Sequence, residues 1–297
     1  TTLNLALDGV SDAGNALNYT VAVSNANLTN SAELTTAVPT GNTSIKLVVN
    51  DTADGITNGV IIIQLADDLA PETVSQILAL VEDGYYDGLT FHRIIEDFMI
   101  QGGDPNGDGS GGPDKKFDDQ FNSALQFTSA GVVAMANSGS DTNGSQFFIT
   151  TAATRWLDYR YSIFGFVTQG SDVVDALDSV ATGSNDAPVN TVTITSIGVY
   201  EDTQDGVLRL YAPNGTTGTA TVTVTATDSV TGETASQAFT VTVSADSTAS
   251  PPYLADIDPI ETTEGGSATF TIPAVNVDNL TLTYSATTDD SELTVSV

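Results

Sequence analysis

The chain has 297 residues, 7 Lys plus Arg against 38 Asp plus Glu, and a formal net charge of −31. That balance excludes a nucleic-acid backbone or an anionic bilayer as a partner, since both recruit basic surfaces. With no cysteine and a single histidine, His92, disulfides, thiolate metal sites, cysteine nucleophiles and multi-histidine centres are excluded as well. Hydrophobic residues make up 40%, enough to build cores. No apolar run approaches the roughly 18–20 residues that span a bilayer, so no membrane insertion is expected, and no signal peptide is visible at Thr1-Thr2-Leu3. The acidic, Thr/Asn/Asp/Ala-rich composition is read as that of a secreted or cell-surface bacterial protein, a composition that a halophilic cytoplasmic protein shares.

Residues 1–43 alternate apolar and polar side chains at Leu3–Leu7 and again at Leu17–Val23, with Gly/Asn/Asp turns between, which predicts half-buried strands. The texture changes over 44–198. This stretch holds six of the seven basic residues, the only Trp and both Met. Strands are expected at Ile45–Val49, Gly59–Leu65, Val132–Ala136, Gln146–Thr150 and Ile163–Val167. Pro71 suits a first helical position, and Val74, Ile77, Leu78 and Val81 share one face, predicting a helix over 71–82. A second is expected at Val173–Val180.

Residues 199–247 return to strict alternation, with a hairpin expected between Thr219–Ala226 and Ala238–Val243. Residues 248–252, inside the small, Pro-terminated stretch Ser244–Pro252, read as a linker, and 253–297 as further strands. Residues 3–23 resemble 268–288, with Leu17-Asn18-Tyr19-Thr20 falling over Leu282-Thr283-Tyr284-Ser285. Both look like the first half of an immunoglobulin/cadherin-like repeat. On this reading 44–198 interrupts one β-sandwich formed by 1–43 and 199–247, while 253–297 is a partial second repeat available for self-association.

The chemistry lies in the middle segment. Residues 91–104 read Phe-His-Arg-Ile-Ile-Glu-Asp-Phe-Met-Ile-Gln-Gly-Gly-Asp. Met135-Ala136-Asn137, Asn143-Gly144-Ser145-Gln146-Phe147-Phe148-Ile149 and Trp156-Leu157-Asp158 follow in order. These motifs resemble the cyclophilins, the peptidyl-prolyl cis–trans isomerases, over about 44–198. The resemblance implies a mainly β fold, a closed eight-stranded barrel with two helices, here flanked by β-sandwich segments. The chemistry is compatible with this chain. Rotating an X–Pro bond meets a barrier of about 18–20 kcal/mol set by amide resonance. Lowering it requires an apolar slot and donors that favour the twisted amide, not a nucleophile or a metal.

By resemblance, Arg93 would bond the prolyl carbonyl, and Gln101 would hold Arg93 and the substrate backbone. Phe98, Met99, Phe148 and Leu157 would form the proline pocket, with Tyr161 where the family usually has histidine. Ala136 and Asn137 would pair with the peptide upstream of proline, and Trp156 would line the outer edge. Gln146 would support the floor, with Gly109 and Ser110 bordering the neighbouring pocket. Glu96-Asp97 replaces the usual Pro-Gly and adds negative charge. His92 reads as a satisfied structural histidine.

Asp104, Asn106 and Asp108 match half of a calcium loop, but Lys115 stands where its bidentate acid should be. Calcium at the sandwich ends, near Asp8, Asp12, Asp228 and Asp256, is the other metal expectation; the isomerase chemistry itself implies no cofactor. The expected function is isomerisation of X–Pro bonds in extracytoplasmic proteins. The alternative is a structural, adhesive or filament-forming surface protein that uses the fold as a scaffold.

Overall fold

The computed structural model describes residues 1–29, 33–254, 261, 263, 266–269, 274–278 and 281–285. Eight strands close a barrel: β4 (Ser44–Asp51), β5 (Ile56–Leu65), β6 (Thr90–Ile95), β7 (Met99–Asp104), β8 (Val132–Met135), β9 (Phe147–Thr150), β10 (Ile163–Gln169) and β11 (Val192–Tyr200). Their order around the wall is β10-β5-β4-β11-β6-β7-β9-β8, every neighbouring pair antiparallel. Inward side chains from every strand, among them Leu47, Ile61, Phe91, Ile100, Met135, Ile149, Phe164 and Ile194, form one buried cluster. Such barrels are filled by side chains and leave no sheet edge exposed.

Helix α1 (Pro71–Glu82) starts at Pro71 as expected and turns Val74, Ile77 and Val81 into that cluster. Its N-cap, Ala70, offers no side-chain acceptor. Gln120 instead takes the amides of Glu72 and Thr73, both at 3.1 Å, so two orphan donors of the first turn are met from a distant loop. Helix α2 spans Ser171–Asp178 and buries Val174 and Leu177; it begins two residues before the expected Val173. The reason is Gly170, a left-handed cap whose Cβ would collide with the Val60 carbonyl, so the chain turns into the helix there.

The flanking strands are β1 (Thr2–Leu7), β2 (Leu17–Leu28), β3 (Thr35–Ala37), β12 (Gly206–Tyr211), β13 (Gly218–Asp228) and β14 (Thr234–Val243). They make two three-stranded sheets, β1-β12-β3 and β14-β13-β2. Each therefore mixes strands from before and after the barrel. The alternating faces meet in an apolar cluster that includes Leu3, Leu5, Val21, Val23, Leu208, Leu210, Val222 and Phe239. The barrel's first and last strands are neighbours, with Ser44 opposite Tyr200, so the chain enters and leaves the barrel side by side.

The flanking sheets are fastened to the barrel. Arg209 on β12 forks onto Asp68 at 2.5 and 2.9 Å. The Thr2 amide donates to Gln126 Oε1 at 2.7 Å, and Thr128 Oγ1 donates to the Thr2 carbonyl. Val207 of β12 enters an apolar cluster on the outside of the barrel. Strands β15 (Tyr253–Leu254) and β16 (Ala274–Val275) pair with each other, and Tyr253 stacks on Tyr159 with centroids 4.9 Å apart. Much of the expected repeat at 268–288, and Asp256, lie outside the described residues. Among the described residues no helix is long and apolar enough to cross a membrane.

Candidate active site

The site begins with a β-bulge. Phe91 pairs with Gly102 and Arg93 with Gln101, so His92 is an extra residue in β6. The bulge lets Phe91 and Ile94 both point into the barrel and aims Arg93 outward, the re-aiming that bulges perform. Alternation then sets the neighbours. Ile100 of β7, Phe147 and Ile149 of β9, and Val133 and Met135 of β8 face inward. Gln101, Phe148 and Ala134 face outward beside Arg93.

Register aligns these outward residues. Arg93 lies opposite Gln101, Gln101 opposite Phe148, and Phe148 opposite Ala134. A charged donor, an amide and an apolar floor therefore run in one row across four adjacent strands. Met99 sits two residues from Gln101 on the same face. Met99, Phe148 and Leu157 are buried in one external cluster, against which Phe98, Ala136 and Tyr161 pack. Tyr161 meets Phe148 edge-on at 5.6 Å, and Phe127 stacks beneath it at 5.8 Å. Trp156, 60% exposed, lies 5.9 Å from Phe98.

Hydrogen bonds order the polar side. Gln101 Nε2 donates to Gln146 Oε1 at 2.9 Å, and Gln146 Nε2 donates to the Gly109 and Gly111 carbonyls at 3.0 and 2.9 Å. Gly109 and Ser110 thus stand on a loop tethered to the floor. Arg93 Nε lies 3.3 Å from Asp186 Oδ2, with both side chains nearly half exposed.

Three further residues singled out in the sequence find their places here. The Asn137 side-chain amide donates to the Arg160 carbonyl at 3.1 Å and to Asp119, bracing its own loop. His92 is buried, and desolvation lowers its pKa against the opposing pull of Asp104 and of a backbone hydrogen bond with Thr90. The carboxylate of Asp104 is occupied by the amides of Asn106, Asp108 and Gly109, which makes the calcium-like loop a backbone turn. Asp228 is engaged in the same way, by Ser11, Asn15, Val230 and Thr231, and these bonds hold its pKa well below the usual range.

Two groups had no signal in the sequence, and a third, Asp158, reads there only as the end of the Trp156-Leu157-Asp158 motif, with no role attached. Asp186 is distant in the chain from Arg93. Phe127 lies outside every recognised motif. Asp158, fully buried, accepts the Phe127 amide at 2.7 Å and pairs with Arg155, anchoring the turn that carries Trp156 and Leu157. A cavity of about 840 Å³ opens between β1 and β14, lined by Leu5, Leu7, Tyr19, Val224 and Phe239 with Asp8 and Asp228 at its rim. It lacks the donor row and is a separate feature of the flanking sheets.

A family model described as "Cyclophilin type peptidyl-prolyl cis-trans isomerase/CLD" matches residues 48–199. The chain belongs to this family. Mouse peptidyl-prolyl cis-trans isomerase-like 1 is 52% identical over 139 residues, covering 46% of this chain and 84% of the relative. A counterpart from Rhizopus delemar is 53% identical over 131 residues, covering 43% and 79%. The crystal structure of a Cryptosporidium parvum cyclophilin type peptidyl-prolyl cis-trans isomerase superposes with a TM-score of 0.51 at 30% identity, covering 54% of this chain and 99% of that one. The cyclophilin domain is a peptidyl-prolyl cis–trans isomerase that acts on proline-containing peptides and needs no cofactor.

These relatives also overturn one expectation. They come from mammals and fungi, so the bacterial cell-surface location drawn from composition does not hold. Thr/Asn-rich acidic strands report a solvated sheet surface, and surface chemistry does not encode an address.

Proposed function

We propose that this cyclophilin twists X–Pro amides with Arg93 as the polar catalyst over an apolar proline pocket. The observation that carries the reading is the row Arg93–Gln101–Phe148–Ala134 across β6, β7, β9 and β8. The proline ring rests on Phe148, Met99 and Leu157, with Phe98 and Tyr161 as walls and Trp156 at the outer edge. Burial there removes apolar ring surface from water and holds the ring still while the acyl side turns. As the C–N bond rotates, resonance is lost, and the nitrogen lone pair localises. An Arg93 N–H donor stabilises that pyramidal nitrogen more than the planar ground state, so the interaction lowers the barrier.

Gln101, held by Gln146, supplies the neighbouring amide. Ala136 and the backbone at Asn137 border the peptide upstream of proline, and Gly109 and Ser110 border the adjacent pocket. We also propose that 1–43 and 199–247 form one β-sandwich domain that the barrel interrupts. Support comes from the pairing of β1 with β12 and β2 with β13. The scaffold alternative is not favoured, because the match to isomerases extends through the whole motif set.

The test is prolyl isomerisation of a short X–Pro peptide by wild type and Arg93→Ala. Loss of about 10²–10³ in kcat/KM, the usual effect of removing one preorganised donor, is expected with the melting temperature unchanged. Retention of wild-type kcat/KM by Arg93→Ala would sink the Arg93 assignment.

A further inference from the structure

We infer that Asp186 is a positioning residue for the isomerisation: it fixes the Nε edge of Arg93 and leaves the two terminal amino groups for the prolyl amide. The inference rests on the Arg93 reading above. Arg93 Nε donates to Asp186 Oδ2 at 3.3 Å, and among the described residues its terminal nitrogens have no hydrogen-bond partner. A half-exposed arginine without such a tether samples many rotamers. A guanidinium held at one edge presents the rest of its rigid fork in a fixed direction, and donors aligned in advance need no reorganisation as the amide twists.

The turn that carries Asp186 points the same way. Residues 181–189 double back on themselves. The Val189 amide donates to the Ala181 carbonyl at 2.8 Å, Gly183 to Ala187 at 2.8 Å, and Ala187 to Ser184 at 3.3 Å. At the tip, Asn185 and Asp186 have φ of 61° and 59°, as in a type I′ turn. Such turns favour Asn or Asp first and Gly second, because the second residue also needs a left-handed backbone. Aspartate therefore occupies a position where glycine would be less strained. Aspartate stands at a left-handed position here, as it does at Asp97 and Asp141, and at this one its carboxylate meets Arg93. Among the described residues the Asp186 carboxylate accepts no other hydrogen bond, and a solvent-screened pair adds little to stability. What remains for it is the geometry of Arg93.

The experiment compares kcat and KM on an X–Pro peptide for wild type, Arg93→Ala, Asp186→Asn, Asp186→Gly and the Arg93→Ala/Asp186→Asn double variant. Asparagine tolerates the turn and removes the charge, while glycine relaxes the turn and removes the side chain. Both Asp186 variants are expected to lose about tenfold in kcat with KM changed less than about twofold, the scale of a misplaced group. Asp186→Gly should melt no lower than wild type, which separates positioning from misfolding. In the Arg93→Ala background, Asp186→Asn should change nothing further. Unchanged kcat in both Asp186 variants, with Arg93→Ala inactive, overturns the inference and leaves the Arg93 reading standing. An equal Asp186→Asn loss in the Arg93→Ala background overturns it too. A fully active Arg93→Ala overturns both readings.

Discussion

The molecule uses arginine in two opposite ways. On the outer barrel wall, Arg93 is half exposed, paired at one edge, and among the described residues keeps its terminal donors open. At the junction with the flanking sheets the guanidinium groups spend their terminal nitrogens on carboxylates. Arg209 forks onto Asp68, and Arg155 bridges Asp158 and Asp246. The difference lies in the surroundings, since the residue type is the same. A second carboxylate or a two-point fork turns the group into a fastening, whereas a single edge contact leaves a donor ready for an incoming carbonyl or nitrogen.

The comparison can be broken first at the floor they share. Phe148 supports the catalytic row and belongs to the same external cluster as Val207 of the flanking sheet. Phe148→Ala should cost about 3–5 kcal/mol in chemical denaturation and weaken peptide binding as well. A loss below about 1 kcal/mol would mean that the floor collapses onto Phe127 and that the two regions are independent.

Arg209→Ala tests the junction alone. It should destabilise the protein by about 1–2 kcal/mol, a buried-pair loss discounted because Asp68 is partly exposed, with kcat/KM on an X–Pro peptide unchanged. The sign with pH follows from Asp68. Arg209's hydrogen bonds hold its carboxyl below the usual value. The pair's contribution is therefore complete above about pH 4 and fades as pH falls through the lower folded value. Acid melts of wild type and Arg209→Ala should converge; a constant gap would refute the linkage.

Asp205 behaves in the opposite sense. Burial and the neighbouring Asp202 push its pKa up to about 7. Stability should thus rise as pH is lowered from 8 toward 5, since the folded form takes up the proton first. Asp205→Asn should flatten that window. The smallest effect is expected at Tyr161, which touches Phe148 only edge-on. Tyr161→His keeps an aromatic wall and should move kcat/KM by no more than about tenfold, the low end of a change in pocket fit; a larger change would mean that the phenol does more than wall the pocket.

Much of this was legible in the sequence because local rules and tertiary structure agreed. Pro71 and the 74/77/78/81 spacing located α1 at its observed bounds, and strict alternation located β1, β2, β13 and β14. Of the strands that build the site, β8 and β9 were expected from their apolar runs, and β6 and β7 were harder to see. β6 loses its alternation at the His92 bulge, and β7 carries Gly102 and Gly103. The motif set supplied Arg93, Gln101, Met99 and Phe148, whose convergence depends on inter-strand register. It gave no hint of Asp186 or of Asp246 against Arg155, because both pairs join segments that have no local pattern in common.

The pairing of Ser44 with Tyr200 has a kinetic consequence. Until the barrel forms, β1–β3 and β12–β14 are separated by roughly 150 residues of flexible chain, a loop whose closure is entropically unfavourable. Once β4 lies beside β11, the same two segments emerge next to each other, and their pairing becomes nearly local. The flanking sheets should therefore assemble after the barrel, as a second and slower phase in refolding followed at Tyr19 and Tyr211. Their formation then reports that the catalytic unit beneath them is already complete.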